Sequence, residues 1–134
     1  MSLDLSPLSN AIARLDEGLE RYQGERHDTQ IRDGLIQRFE FTYEQYHKML
    51  RRSLEARAAT PGEFDDADFQ FIIRTANERG LVLGDWPKWR GYRQMRAKTR
   101  HTYDEDVALE VVAGIPAFLE EARYLLARLE PHHA

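Results

Sequence analysis

Apolar residues recur at every third or fourth position along almost the whole chain, the period of helices that bury one face. Leu5, Leu8, Ile12, Leu15, Leu19 and Tyr22 trace the first stripe, with Ser6-Pro7 as cap and first-turn pair and Gly24 as its stop. A second helix is predicted from about Thr29 to Ala58. On a helical wheel Ile31, Leu35, Ile36, Phe39, Tyr43, Tyr46, Met49, Leu50 and Leu54 fall in one arc of about 140°. Ala59-Thr60-Pro61-Gly62 breaks that helix. A third helix is expected over Asp65 to Arg79, stopped by Gly80, and Leu81 to Gly84 reads as a short apolar turn. Asp85-Trp86-Pro87 then opens a fourth, short helix that carries Trp89, Tyr92 and Met95 inward. The fifth is predicted to start at Thr102, because Thr102-x-x-Glu105 has the form of a capping box. Its stripe is Val107, Ala108, Val111, Val112, Ile115, Leu119, Ala122, Leu126 and Leu129, with a kink expected at Gly114 and Pro116. The pattern predicts an all-α bundle of about five helices, organised as one domain over residues 1–134.

Composition narrows the class. With 42% apolar and 31% charged residues the chain has the mix of a folded globular protein rather than a disordered one. No apolar run approaches the roughly 18 residues of a membrane span, and the N-terminus lacks a signal-peptide pattern, so a cytoplasmic protein with no membrane contact is expected. The absence of cysteine removes disulfides and thiol chemistry. The histidines, His27, His47, His101, His132 and His133, form no HExxH pair, so no metal site is expected. No Gly-rich phosphate loop and no GxSxG elbow is present, and no cofactor is expected. The chemistry left to this chain is that of His, Arg, Tyr and carboxylates.

Charge singles out one stretch. Lys88, Arg90, Arg93, Arg96, Lys98 and Arg100 stand in a window without Asp or Glu, so the chain's net −4 divides into +6 there and −10 over the other 120 residues. Such a block attracts RNA, a nucleotide phosphate or an acidic partner; it also fits a basic face paired with the chain's own acidic helices. Arg93, Lys98 and Arg100 are the residues expected to meet phosphate. Arg96 and His101 are five apart, about 140° on a continuous helix, so they share a cleft only if the helix ends between them. An imidazole can move a proton near neutral pH and a guanidinium can stabilise charge on a phosphoryl group. Together they would suffice for attack of a ribose 2′-hydroxyl on its own phosphate without a metal. As bare chemistry the pair is weak evidence, and a structural role outweighs a catalytic one.

The order Arg96-x4-His101-x-Tyr103 resembles the Rx4-6HxY signature of HEPN-domain proteins. "RDGLIQRFEFTYE" (Arg32 to Glu44) and "KTRHTYDED" (Lys98 to Asp106) resemble the signature blocks of a bacterial HEPN family, the nucleotidyltransferase substrate-binding proteins, and the likeness runs from Leu5 to Leu129. The resemblance implies an up-and-down bundle, usually a homodimer, encoded beside a minimal nucleotidyltransferase. It implies a composite, metal-independent ribonuclease site with Arg96 and His101 as the catalytic pair. In toxin–antitoxin pairs of this kind the nucleotidyltransferase silences the toxin, in some cases by adenylylating the motif tyrosine, here Tyr103. One departure is Ala97, which follows Arg96 where many HEPN nucleases have Asn.

Asp33, Glu40, Glu44, His47 and Arg51 fall within about 60° on one shoulder of the second helix. Glu40 and Glu44 are the expected supports for Arg96, because HEPN proteins are similar in placing an acidic residue of this helix near the Arg–His cleft. Local pairing of Glu44 with His47 or Lys48 is the alternative. Phe41 lies about 150° from the centre of the apolar arc and points to an interface, or is a lone exposed aromatic. Two functions follow from the resemblance: a HEPN ribonuclease toxin held in check by its nucleotidyltransferase, or a non-catalytic subunit that presents RNA or a nucleotide to that enzyme. A plain helical interaction protein is the third reading.

Overall fold

The computed structural model describes residues 3–60, 62 and 68–130. Five helices run in the order α1 (Ser6–Gly24), α2 (Thr29–Ala56), α3 (Phe69–Glu78), α4 (Trp86–Lys98) and α5 (Glu105–Leu129), with a 3₁₀ turn over Thr99–His101 between the last two. The expected all-α bundle is what forms, and no strand occurs among the described residues. α2 packs along α1 and against α5, and α4 lies on α5.

Leu8, Leu15, Leu35, Phe39, Tyr46, Leu50, Leu54 and Ile115 are sealed from solvent, so the predicted stripes do form the core. An aromatic cluster stitches α2, α4 and α5 together. Trp89 packs 4.7 Å from Tyr46 and 5.1 Å from Tyr92, and Phe118 sits edge-on to Phe39 at 5.0 Å. Such pairs contribute about 0.5–1.5 kcal/mol each beyond the area they bury.

Several boundaries differ from the pattern. The side-chain acceptor at the start of α1 is the Asp4 carboxylate, which accepts from Ser6 N at 3.0 Å, and not the Ser6 hydroxyl. α3 begins at Phe69 because Asp68 caps it, accepting from Phe71 N; the predicted start at Asp65 lies outside the described residues. α5 is capped by Asp104, which accepts from Asp106 N and Val107 N. Thr102 is not its cap, since a carboxylate answers the positive helix end better than a hydroxyl. Glu105, freed from the capping box, accepts instead from Arg32 Nη1 of α2 at 2.6 Å. Along α5, Phe118 and Leu125 are wholly buried whereas Val107, Leu126 and Leu129 are only half-buried. The helix continues unbroken past Pro116.

Gly80 closes α3 in a left-handed conformation, φ +75°. Leu81 N donates to Ala76 O and Gly80 N to Asn77 O, the paired bonds of a Schellman motif. Gly80→Ala forces a β-carbon into that conformation and is expected to cost about 1–2 kcal/mol. Urea unfolding checks this, and a loss below about 0.5 kcal/mol would refute the requirement.

Candidate functional site

Side chains of α4 and the turn after it face side chains of α2 across one groove. On α4 and the turn after it Arg93, Arg96, Ala97, Arg100 and His101 line one side, and on α2 Tyr43, Glu44 and His47 line the other. They enclose an open groove of about 590 Å³. The 3₁₀ turn is what brings His101 to it. α4 stops at Lys98, the chain tightens over Thr99–His101, and the imidazole joins the groove that Arg96 already lines.

Arg96 is held from α2 and from the 3₁₀ turn that follows α4. Its Nη2 lies 3.1 Å from Glu44 Oε1 and its Nη1 3.4 Å from Glu40 Oε2. Nη1 also donates to Thr99 Oγ1 at 3.1 Å, and the Thr99 hydroxyl donates to Arg96 O at 2.6 Å. The guanidinium is therefore fixed in place rather than waving in solvent, which is how a charge is preorganised for a phosphoryl group. Thr99 is buried and carried no sequence signal beyond its place between Arg96 and His101.

The other predicted residues separate. Arg93 and Arg100 line the groove and form no ion pair among the described residues. Lys98 does not line it, because its ammonium pairs with Glu110 of α5 at 2.8 Å. Tyr103 projects from the loop before α5, 86% exposed, with its ring edge-on to His101 at 5.9 Å. Phe41 is 55% exposed on another face, beside Arg14, Gln37 and Arg38.

Tyr43 was legible only as core. It is half-buried at the edge of the apolar arc and turns towards the groove. Burial raises its pKa, opposed by Arg93 and Arg96. His47 stands edge-on to Phe69 at 4.7 Å, with Nε2 buried and unpartnered. Burial, then Arg51 and Arg93, lower its pKa from 6.5, so at neutral pH it is an uncharged imidazole.

Away from the groove a buried carboxylate secures the approach to α4. Glu121, 1% exposed, accepts from Tyr46 Oη at 2.9 Å, Leu83 N at 2.9 Å and Gly84 N at 2.7 Å. Asp85, the next residue, caps α4. Burial and Glu121 push Tyr92 up to about 12.

These shifts set the pH response of stability. The His47 contribution is complete above the unfolded value of 6.5 and is lost as pH falls through the lower folded value. The Tyr92 contribution is complete below about pH 10 and is lost as pH rises to about 12. The urea midpoint is expected to fall at both ends. His47→Gln should flatten the acid side, and an unchanged acid slope in that variant would remove His47 from the account.

Comparison with known proteins agrees with this architecture. The family described as nucleotidyltransferase substrate binding protein like matches residues 3–131. A Haemophilus influenzae protein named probable ribonuclease HepT is 44% identical over 96 residues, 72% of this chain. The match spans 65% of that relative's length, a little under two thirds. A Haemophilus influenzae structure, described as revealing the fold of a substrate binding domain of a nucleotidyltransferase, is similar with a TM-score of 0.86 at 35% identity. It covers 94% of this chain and 98% of that one. A crystal structure from Thermus thermophilus is similar with a TM-score of 0.73 at 29% identity, covering 92% and 99%. The chain belongs to the nucleotidyltransferase substrate-binding-protein-like family, the HEPN-type helical bundle that its two sequence blocks resemble.

Proposed function

We propose that this protein is a HEPN-type, metal-independent ribonuclease, the toxin of a pair whose antitoxin is a minimal nucleotidyltransferase. The observation that carries the reading is the common groove of Arg96 and His101, with the guanidinium held by Glu40, Glu44 and Thr99. His101 takes the proton of a ribose 2′-hydroxyl, and the 2′-oxygen attacks the adjacent phosphorus. Arg96 stabilises the charge that gathers on the phosphoryl oxygens. The bond to the 5′-oxygen breaks, that oxygen takes up a proton, and a 2′,3′-cyclic phosphate is left. In a homodimer the second copy's histidine supplies that proton. Purified protein incubated with single-stranded RNA in EDTA is expected to yield cyclic-phosphate ends, and intact RNA at micromolar enzyme would end this reading.

The exposed phenol of Tyr103 fits it as the position the antitoxin adenylylates. With ATP and the partner enzyme, wild type should gain the mass of AMP and Tyr103→Phe should not. An equal gain in both would move the modification elsewhere.

A second reading is favoured by one observation: Glu40 and Glu44 already neutralise Arg96. Here the chain is a non-catalytic subunit presenting a nucleotide or RNA to the nucleotidyltransferase; the similar Haemophilus influenzae structure is described as the fold of a substrate binding domain of a nucleotidyltransferase. Arg93 and Arg100 then bind a phosphate or an acidic surface of the partner. Charge reversal at Arg93 and Arg96 should weaken the complex with the nucleotidyltransferase, and undiminished binding would count against this reading.

A further inference from the structure

The two ends of the groove differ in kind. One end gathers Arg96, Arg100 and His101, the groups that suit a phosphate. The other gathers Tyr43, His47 and Arg93, with Phe69 of α3 and Trp86 of α4 beneath them. Arg93 lies on the order of 10 Å along α4 from Arg100, so one ligand can reach both ends only if it is extended.

Arg93 is the cation of the groove that lies over aromatic rings. Arg96 and Lys98 pair with carboxylates, whereas the Arg93 guanidinium carbon lies 5.2 Å from the Phe69 ring centre and 5.9 Å from that of Trp86. Both distances are within cation–π reach, so two rings hold this guanidinium where carboxylates hold Arg96 and Lys98. It remains solvent-exposed. Across from it, Tyr43 Oη makes no hydrogen bond among the described residues, and the ring of His47, whose Nε2 is buried, lines the same wall. A plane backed by aromatic rings, next to a phenol without a hydrogen bond and one helical turn from Arg96, matches what an unstacked RNA base requires. Ala97, between the two ends, adds only a methyl group to the lining.

Resting on the RNA reading above, we infer that the Tyr43–His47–Arg93 end of the groove is a nucleobase subsite. In it a base of single-stranded RNA stacks on the Arg93 guanidinium and offers its edge to the Tyr43 phenol beside the His47 ring, while the adjoining phosphate lies towards Arg96 and His101. Arg93 and Tyr43 are then determinants of specificity, separate from the pair assigned to the chemistry.

The test uses two uncleavable probes of equal length: a fully 2′-O-methylated single-stranded RNA, and the same backbone made abasic throughout. Stacking on one base contributes about 1–3 kcal/mol, so the intact strand should bind wild type roughly 5- to 150-fold more tightly by fluorescence anisotropy. Arg93→Lys keeps the charge and removes the plane. It is expected to lose most of that preference while binding the abasic backbone within about twofold of wild type, which also shows that the variant is folded. Equal affinity of wild type for both strands would overturn the subsite, as would no binding of either or an undiminished preference in Arg93→Lys. Since neither probe can be cut, the outcome is independent of nuclease activity. An inert protein that prefers bases loses the ribonuclease reading and keeps this one, and an active protein without preference does the reverse.

Discussion

His101→Ala is expected to lower RNA cleavage in EDTA by about 10²- to 10⁴-fold, the usual contribution of a positioned general base. The residue is exposed at the end of the 3₁₀ turn and forms no ion pair among the described residues, so its removal should leave stability within about 0.5 kcal/mol of wild type. That combination separates a catalytic group from a structural one. Arg96→Ala should cost about 10²- to 10³-fold through lost charge stabilisation. It should also perturb the fold locally, because it leaves Glu40 and Glu44 facing each other without their cation. If the site is composite, mixing the two inactive variants should restore part of the activity in heterodimers. His101→Ala cleaving RNA within about threefold of wild type would remove the imidazole from the mechanism.

The largest stability effect is expected at Glu121. Glu121→Ala strips a partner from three donors at once, Tyr46 Oη, Leu83 N and Gly84 N. The buried Tyr46 donor, left unsatisfied, costs about 1–3 kcal/mol and the part-buried Leu83 and Gly84 amides less, partly offset because a carboxylate no longer has to be kept out of water. A net loss of about 3 kcal/mol is expected, a fall in Tm of roughly 10 °C for a chain of this size. The effect should spread beyond the core. Leu83 and Gly84 lead into Asp85, whose carboxylate accepts from Lys88 N at the start of α4, and α4 carries one wall of the groove. Glu121→Gln retains one acceptor oxygen and is expected to fall between the two. A loss below about 1 kcal/mol on Glu121→Ala would show that the loop is secured by other contacts.

Glu121 also shows where sequence reading stops. It stands among Phe118, Leu119, Ala122 and Leu125, all buried, yet the second residue of a Glu120-Glu121 pair in a helix reads as solvated. Its partners come from a loop 37 and 38 positions earlier, and nothing local announces them. Arg32 is the same case, a buried arginine whose carboxylate partner is 73 positions away. Lys98 and Arg100 look equivalent in the basic window, but only the packing of α4 on α5 turns Lys98 to Glu110 and leaves Arg100 at the groove.

The sequence by itself determined the five helices, most of their buried stripes and the cationic block. Those depend on period, caps and local charge, all of which act within a few residues of one another. The pairing of Arg96 with Glu40 and Glu44 was expected from the family resemblance, whereas the approach of Tyr43 and His47 to Arg93 and the burial of Glu121 were decided by tertiary structure alone. Each joins groups from different helices, whose separation in space is fixed only when the apolar faces pack and the connecting loops close.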